Sequence, residues 1–236
     1  MMRDGGLRRE PSGARPGHRL SSATTFPGER AADRFVHVLG IAASLAAATA
    51  LMIVATANLE TLPVLSLAVY ATGLAAGFGL SAGYHLVTRE ALRKTLRRLD
   101  HAAIFVLIAG TYTPFALVSI GGPWGHALLA AVWAIALVGI AAKVLLPGRF
   151  ERAAIVLYLV QGWAGLAVLN PLVNGVSATT LSLLGAGGVL YTLGVVFHLW
   201  RGLRYQTAIW HAFVLVAAAC HYVAVLDAVA LAGTDR

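Results

Sequence analysis

Apolar runs long enough to cross a membrane recur seven times along the chain, each closed by a short polar or turn-forming stretch. A helix needs roughly 20 residues to span about 30 Å of hydrocarbon. On that length the pattern predicts spans at 35–56, 63–86, 101–120, 124–145, 153–170, 178–199 and 207–230. Breakers lie between them: Pro63, Gly121-Gly122-Pro123, Pro147-Gly148 and Asn170-Pro171. Residues 1–34 differ, being rich in Arg, Gly, Pro and Ser without an apolar period, and they read as a basic, mostly disordered tail. The first run is too long and too far from the start to be the apolar region of a signal peptide, despite its alanines. The fold class predicted is an all-α membrane protein, a seven-transmembrane-helix bundle over 35–231.

Composition agrees: 58% of the 236 residues are hydrophobic and only 12% charged, against about a quarter charged in soluble domains. A single cysteine, Cys220, excludes an intramolecular disulfide framework and a cysteine-based zinc site. A net charge of +8 would suggest nucleic acid in a soluble protein. Here the cations cluster between apolar runs, so membrane topology explains them and no nucleic-acid partner is expected. The tail and the turns after spans two, four and six hold Arg89, Arg93, Lys94, Arg97, Arg98, Arg149, Arg152, Arg201 and Arg204, whereas the alternate turns hold Glu60 and no Lys or Arg. The positive-inside rule then puts the N-terminus in the cytoplasm and the C-terminus outside, in a multi-pass protein of the plasma (inner) membrane. Gly73, Gly77, Gly79 and Gly83 form small-xxx-small pairs in span two, which suit close helix packing within the monomer or at a dimer interface.

Polar chemistry concentrates at one depth. His37, His85, Asp100, His101, His198 and His211 all fall at the predicted cytoplasmic ends of spans, while His126 lies at the outer side and His221 near the middle of span seven. Ionisable groups at membrane depth are functional candidates, although a single histidine at a helix end is equally at home in the headgroup region. His85 and His211 form the strongest pair, lying within their spans. Neutral imidazole is the metal-binding form, and Zn²⁺ in catalytic sites takes three protein ligands and a water. Asp100 is placed to orient that water or a ligand imidazole. Ser81, four residues before His85, shares its helix face; its hydroxyl would either support the site or bond a backbone carbonyl. His101 points about 100° away from Asp100 on a helix and reads as an interface or packing residue.

Three stretches carry a resemblance: "SAGYH" ending span two, "LRRLDHAAIFVLIAGTYTPF" entering span three, and "YQTAIWHAFVLVAAACHYVAV" in span seven. They resemble the haemolysin III family, which belongs with the progestin and adipoQ receptors and more distantly with the alkaline ceramidases. "ERAADRFVHVLG" is similar to the family's opening, with Asp33 where an asparagine is common. The resemblance implies a seven-helix bundle with a zinc site near the cytoplasmic face, built from Ser-x-x-x-His in span two, an Asp in span three and His-x-x-x-His in span seven. Ser81, His85, Asp100 and His211 match that pattern in place, whereas the first histidine of the last pair is Thr207. A threonine hydroxyl is a poor zinc ligand, so the implied metal ligands fall to His85 and His211. Asp100, His37 or His101 could complete the set, or the site binds zinc weakly. His221 lies about 15 Å along the helix from His211 and reads as a core histidine with a hydrogen-bond partner.

Three functions fit this reading. One is a zinc-dependent hydrolase of an amide-linked membrane lipid, with His85 and His211 on the metal, Asp100 accepting a proton and Ser81 binding the oxyanion or the water. Another is a pore-forming, cytolytic protein, as the family name implies, though the spans show no repeating polar face. The last is a receptor-like regulator of membrane lipid state with a structural metal.

Overall fold

The structure, a computed structural model, describes residues 27–231. The predicted disordered tail lies outside these for residues 1–26. Every regular element among the described residues is helical, which follows from the solvent: hydrocarbon offers backbone N–H and C=O groups no partner, so each segment must satisfy its own. The helices are α1 (Pro27–Asn58), α2 (Thr61–Leu86), α3 (Glu90–Pro114), α4 (Gly122–Leu145), α5 (Glu151–Gly162), α6 (Leu169–Gly175), α7 (Ala178–Leu199) and α8 (Gln206–Val225). Together they make seven segments long and apolar enough to cross a membrane. Large apolar side chains such as Phe35, Ile53, Leu137, Val138 and Val156 point out of the bundle, where lipid replaces water as the neighbour.

Two helices start well before the predicted spans. α1 begins at Pro27 rather than 35, so residues 27–34, assigned to the tail from sequence, are helical; α3 begins at Glu90 rather than 101. Hydropathy marks the hydrocarbon thickness, but helical hydrogen bonding continues into the interface where Glu, Lys, Arg and Leu are good helix formers. In α3 the first turn also carries a Glu90–Lys94 pair at 3.0 Å, four residues apart. These extensions matter because they place Asp33 and Asp100 inside helices, on defined faces.

The fifth span is broken. α5 ends at Gly162, a 3₁₀ stretch covers Ala164–Val168, and α6 follows with Pro171 in its first turn, where a missing N–H costs nothing. Asn170-Pro171, expected to be a turn, is therefore helical. The groups freed by the break find a partner in Tyr112 of α3: its hydroxyl donates to the Gly162 carbonyl at 2.6 Å and accepts the Gly165 N–H at 3.1 Å. Immediately before the break, Gln161 is fully buried, and its Nε2 donates to the carbonyls of Phe105 and Val132, tying the span to α3 and α4.

α3 is the most buried span and belongs to both apolar cores. On one side Leu107, with Phe115 just beyond the end of α3, packs with Leu51, Leu67, Tyr70 and Val225 of α1, α2 and α8. On the other, Phe105 packs with Leu128, Val132 and Ala136 of α4. α2 approaches α3 closely enough that a Cβ at Gly73 would sit 3.1 Å from the Val106 carbonyl oxygen, and one at Gly110 3.3 Å from that of Val69. Gly77 and Gly83 also face α3, so three of the four span-two glycines pack inside the monomer, while Gly79 faces open space. α1 is fastened to the start of α8 by the Tyr205 N–H, which donates to Glu29 Oε1 at 3.3 Å.

Candidate metal centre

Three helices converge on one point near the arginine-rich end of the bundle. α1 contributes His37, α2 His85 and α8 His211, and one ring nitrogen from each lies within 4.8 Å of the others. The ring centroids of His37 are 4.1 Å from His85 and 4.2 Å from His211, and His85 and His211 are 4.9 Å apart. The structure thus brings together His85 and His211, named from sequence, and adds His37. Among the described residues neither His101 nor Asp100 joins this group.

Which ring nitrogen is free follows from the partners of the other. His37 Nδ1 is 2.7 Å from the Asp33 carbonyl oxygen and His211 Nδ1 is 2.8 Å from that of Thr207. A carbonyl can only accept, so both Nδ1 atoms carry the proton and both Nε2 atoms offer a lone pair. His85 Nδ1 faces Asp33 Oδ2 at 3.1 Å, which assigns the same tautomer. Two of the imidazoles lie one turn beyond their backbone anchors, His37 after Asp33 on α1 and His211 after Thr207 on α8, whereas His85 is anchored across helices by the Asp33 carboxylate. Thr207 therefore keeps a role through its carbonyl while its side chain withdraws from the ligand set.

The residues fit a metal ion. His37 is 4% exposed, and its Nε2 is buried with no hydrogen-bond partner. Such an orphan is costly unless something occupies its lone pair, and three Nε2 atoms with fixed Nδ1 partners form the set that a divalent cation needs. Asp33 acts from behind, with Oδ2 on His85 and Oδ1 3.4 Å from His37 Nδ1. A carboxylate in that place orients the ring and raises ligand basicity; removing such a partner typically weakens metal binding by about 10–100-fold. We expect Asp33→Asn to fall toward the lower end, since a carboxamide oxygen still accepts from Nδ1, and Asp33→Ala toward the upper. Competition of purified variants against a chromogenic chelator measures both.

Ser81 and Asp100 stand on the open side of the histidines. Ser81 Oγ is 3.3 Å from His211 Nε2, and Asp100, 9% exposed, interacts with the Ser81 hydroxyl and the His85 ring. Ser81 has one proton, and His211 Nε2 and Asp100 compete for it. A cation on Nε2 would remove His211 as an acceptor and leave the hydroxyl free to donate elsewhere.

These groups form the wall of a cavity of about 930 Å³ inside the bundle. Ser81, His85, Asp100 and His211 line it, whereas His37 and Asp33 sit behind them. Beyond the polar end the lining becomes apolar, with Ile104, Ile108, Leu166, Leu181 and Leu184. His101, expected at an interface or in packing, lines the same cavity and faces Glu151 at 3.7 Å. His221 has the expected hydrogen-bond partner, with Nε2 3.3 Å from the Leu184 carbonyl oxygen, but it too lines the cavity.

Residues 31–222 match the family described as Haemolysin-III related. The chain belongs to that family. It is 36% identical to Hemolysin-3 of Bacillus cereus, over 88% of this chain and 95% of that protein. With the Hemolysin-3 homolog of Bacillus subtilis (strain 168) it shares 35% identity, over 84% of this chain and 93% of the homolog. It is also 30% identical to the human monocyte to macrophage differentiation factor, over 66% of this chain and 67% of that protein. This haemolysin III family member is accordingly a multi-pass membrane protein, all-helical, with seven helices long enough to span. The match begins at Ala31, close to Asp33 and His37, so α1 belongs to the shared fold along with the spans that supply His85 and His211. Sequence reading left His37 as one of several candidates; its signal was its one-turn spacing from Asp33, which becomes visible only once α1 is known to begin at Pro27.

Proposed function

We propose that this protein is a zinc-dependent hydrolase of an amide-linked membrane lipid, acting at the cytoplasmic side of the membrane. The observation that carries the reading is the three-histidine cluster with Asp100 and Ser81 beside it, on the wall of a cavity that turns apolar further in. Three imidazoles suit zinc, which in catalytic sites keeps a position for water and lowers that water's pKa to about 7.

The chain's own residues supply the rest. His37, His85 and His211 would hold the ion, with their orientation set by the Asp33 and Thr207 carbonyls and the Asp33 carboxylate. Asp100 accepts a proton from the attacking water as its oxygen bonds to the acyl carbon. The carbon–nitrogen bond then breaks, and Asp100 returns the proton to the departing amine. Ser81 donates to the developing oxyanion. The apolar lining excludes bulk water and holds the acyl chain, so the amide is presented at the polar wall while the chain stays in an oily environment.

Purified protein should contain about one zinc per chain and release fatty acid from an N-acyl lipid. A chelator should abolish that release and added zinc restore it. Protein lacking bound metal, with lipid turnover unaffected by the chelator, sinks the reading. Planar-bilayer conductance serves as the control for the pore activity that the relatives' name suggests.

A further inference from the structure

The polar end of the cavity holds charged groups that the hydrolytic chemistry leaves unused. Lys143, near the end of α4, is only 5% exposed, an unusual position for a lysine. Its Nζ donates to Glu151 Oε2 at 2.6 Å. An ammonium has three N–H groups, and this pair accounts for one. Arg97 interacts electrostatically with both His101 and Glu151, and Arg201 with His198.

Arg97, Lys143, Arg152 and Arg201 line the cavity, against the carboxylates Asp100 and Glu151. Four cations less two anions leave a formal charge of +2 before any metal is counted. Membrane proteins collect arginines at one face for topological reasons, but those side chains reach for water. Topology gives no reason to bury a lysine on the cavity side of a helix. Glu151 compensates the buried ammonium through one N–H, and the two further N–H groups suit a ligand that brings a second negative charge into the cavity.

Asp100 and His101 are consecutive on α3, and both line the cavity. The cationic pocket beside His101 therefore adjoins the reacting groups beside Asp100. We propose that this pocket binds the head group of the substrate, and that the substrate is an N-acyl amphiphile bearing a carboxylate next to its amide, of the N-acyl amino acid class. Lys143 takes the carboxylate directly, and Arg97 and Arg201 attract it at the cavity mouth. The acyl chain lies along Ile104, Ile108 and Leu181. This inference rests on the hydrolase reading for its amide, but not for its charge.

The test uses full-length protein in a neutral detergent with N-oleoylglycine and N-oleoylethanolamine, which share chain and amide and differ in the carboxylate. Binding is read first with metal chelated, by quenching of tryptophan fluorescence, since Trp163 and Trp210 line the cavity. A charge-assisted hydrogen bond predicts at least roughly tenfold tighter binding of the glycine conjugate. Lys143→Met should abolish that preference. If this variant fails to fold, the exposed pair Arg97→Gln/Arg201→Gln should reduce the preference several-fold, and Arg97→Lys/Arg201→Lys should keep it.

Equal affinity for the two amphiphiles, or a preference untouched by the variants, overturns the inference. Zinc-loaded protein separates it from the hydrolase reading. If both lipids are cleaved with equal kcat/KM, the head-group pocket falls and the hydrolase stands. If the glycine conjugate binds in a Lys143-dependent way yet is never cleaved, the hydrolase falls and the pocket stands.

Discussion

Replacing His37 by alanine should strip the metal from this protein. Of the three imidazoles it is the one with a buried, partnerless Nε2 and no place on the cavity wall, so structural or substrate-binding explanations for it are weakest. Loss of one of three protein ligands should exceed the effect of losing an outer partner, weakening metal affinity by more than about 100-fold. The decisive comparison is the double variant His37→Ala/Thr207→His. Position 207 lies one turn before His211 on α8, so a histidine there can reach the same ion from the other side. Metal content measured on all three proteins should run high, low, and recovered. A His37→Ala protein that keeps its full metal complement would mean that His85 and His211 have some other third partner.

Asp100→Asn should separate chemistry from metal binding. The carboxamide has nearly the shape of the carboxylate and can still accept from Ser81, but it cannot take up a proton at neutral pH. Turnover should fall by roughly 10²–10⁴-fold, the usual contribution of a positioned general base, while metal affinity changes little. The readouts are fatty acid release and metal content of the same preparation. If instead the metal is lost and turnover falls only in proportion, Asp100 belongs to the metal's support rather than to proton transfer. Ser81→Ala makes a useful companion, since Asp100 competes with His211 for its hydroxyl proton.

Much of this protein was legible because lipid imposes strong local constraints. Every span from α1 to α8 announced itself as an apolar run, and the turns at Gly121-Gly122 and Pro147-Gly148 fell where expected. The departures lie where that constraint fades or where another helix supplies the missing partner. α1 and α3 extend beyond the hydrocarbon on charged but helix-forming residues, and the fifth span breaks at Gly162–Trp163 because Tyr112 of another helix receives the freed backbone groups. Neither could be read from hydropathy, the first because it is amphipathic, the second because the compensating hydroxyl is fifty residues away in sequence.

The candidate site divides in the same way. Ser81, His85, Asp100 and His211 stood out from residue type, depth and resemblance, each a feature of a single segment. That His37 rather than Asp100 or His101 stands with His85 and His211 is a matter of three helices meeting. It depends on α1 being held against α8 by Glu29 and the Tyr205 backbone, and on Asp33 reaching across to α2. The buried position of Lys143 likewise depends on α4 meeting α5 through Glu151. Sequence alone determined the class, the seven crossings and most of the chemical inventory, because the burial of apolar helices in lipid is written residue by residue. Only the tertiary structure decided which imidazoles converge and which charges face the cavity, because helix rotation and close packing place side chains from distant segments within a few ångströms of one another.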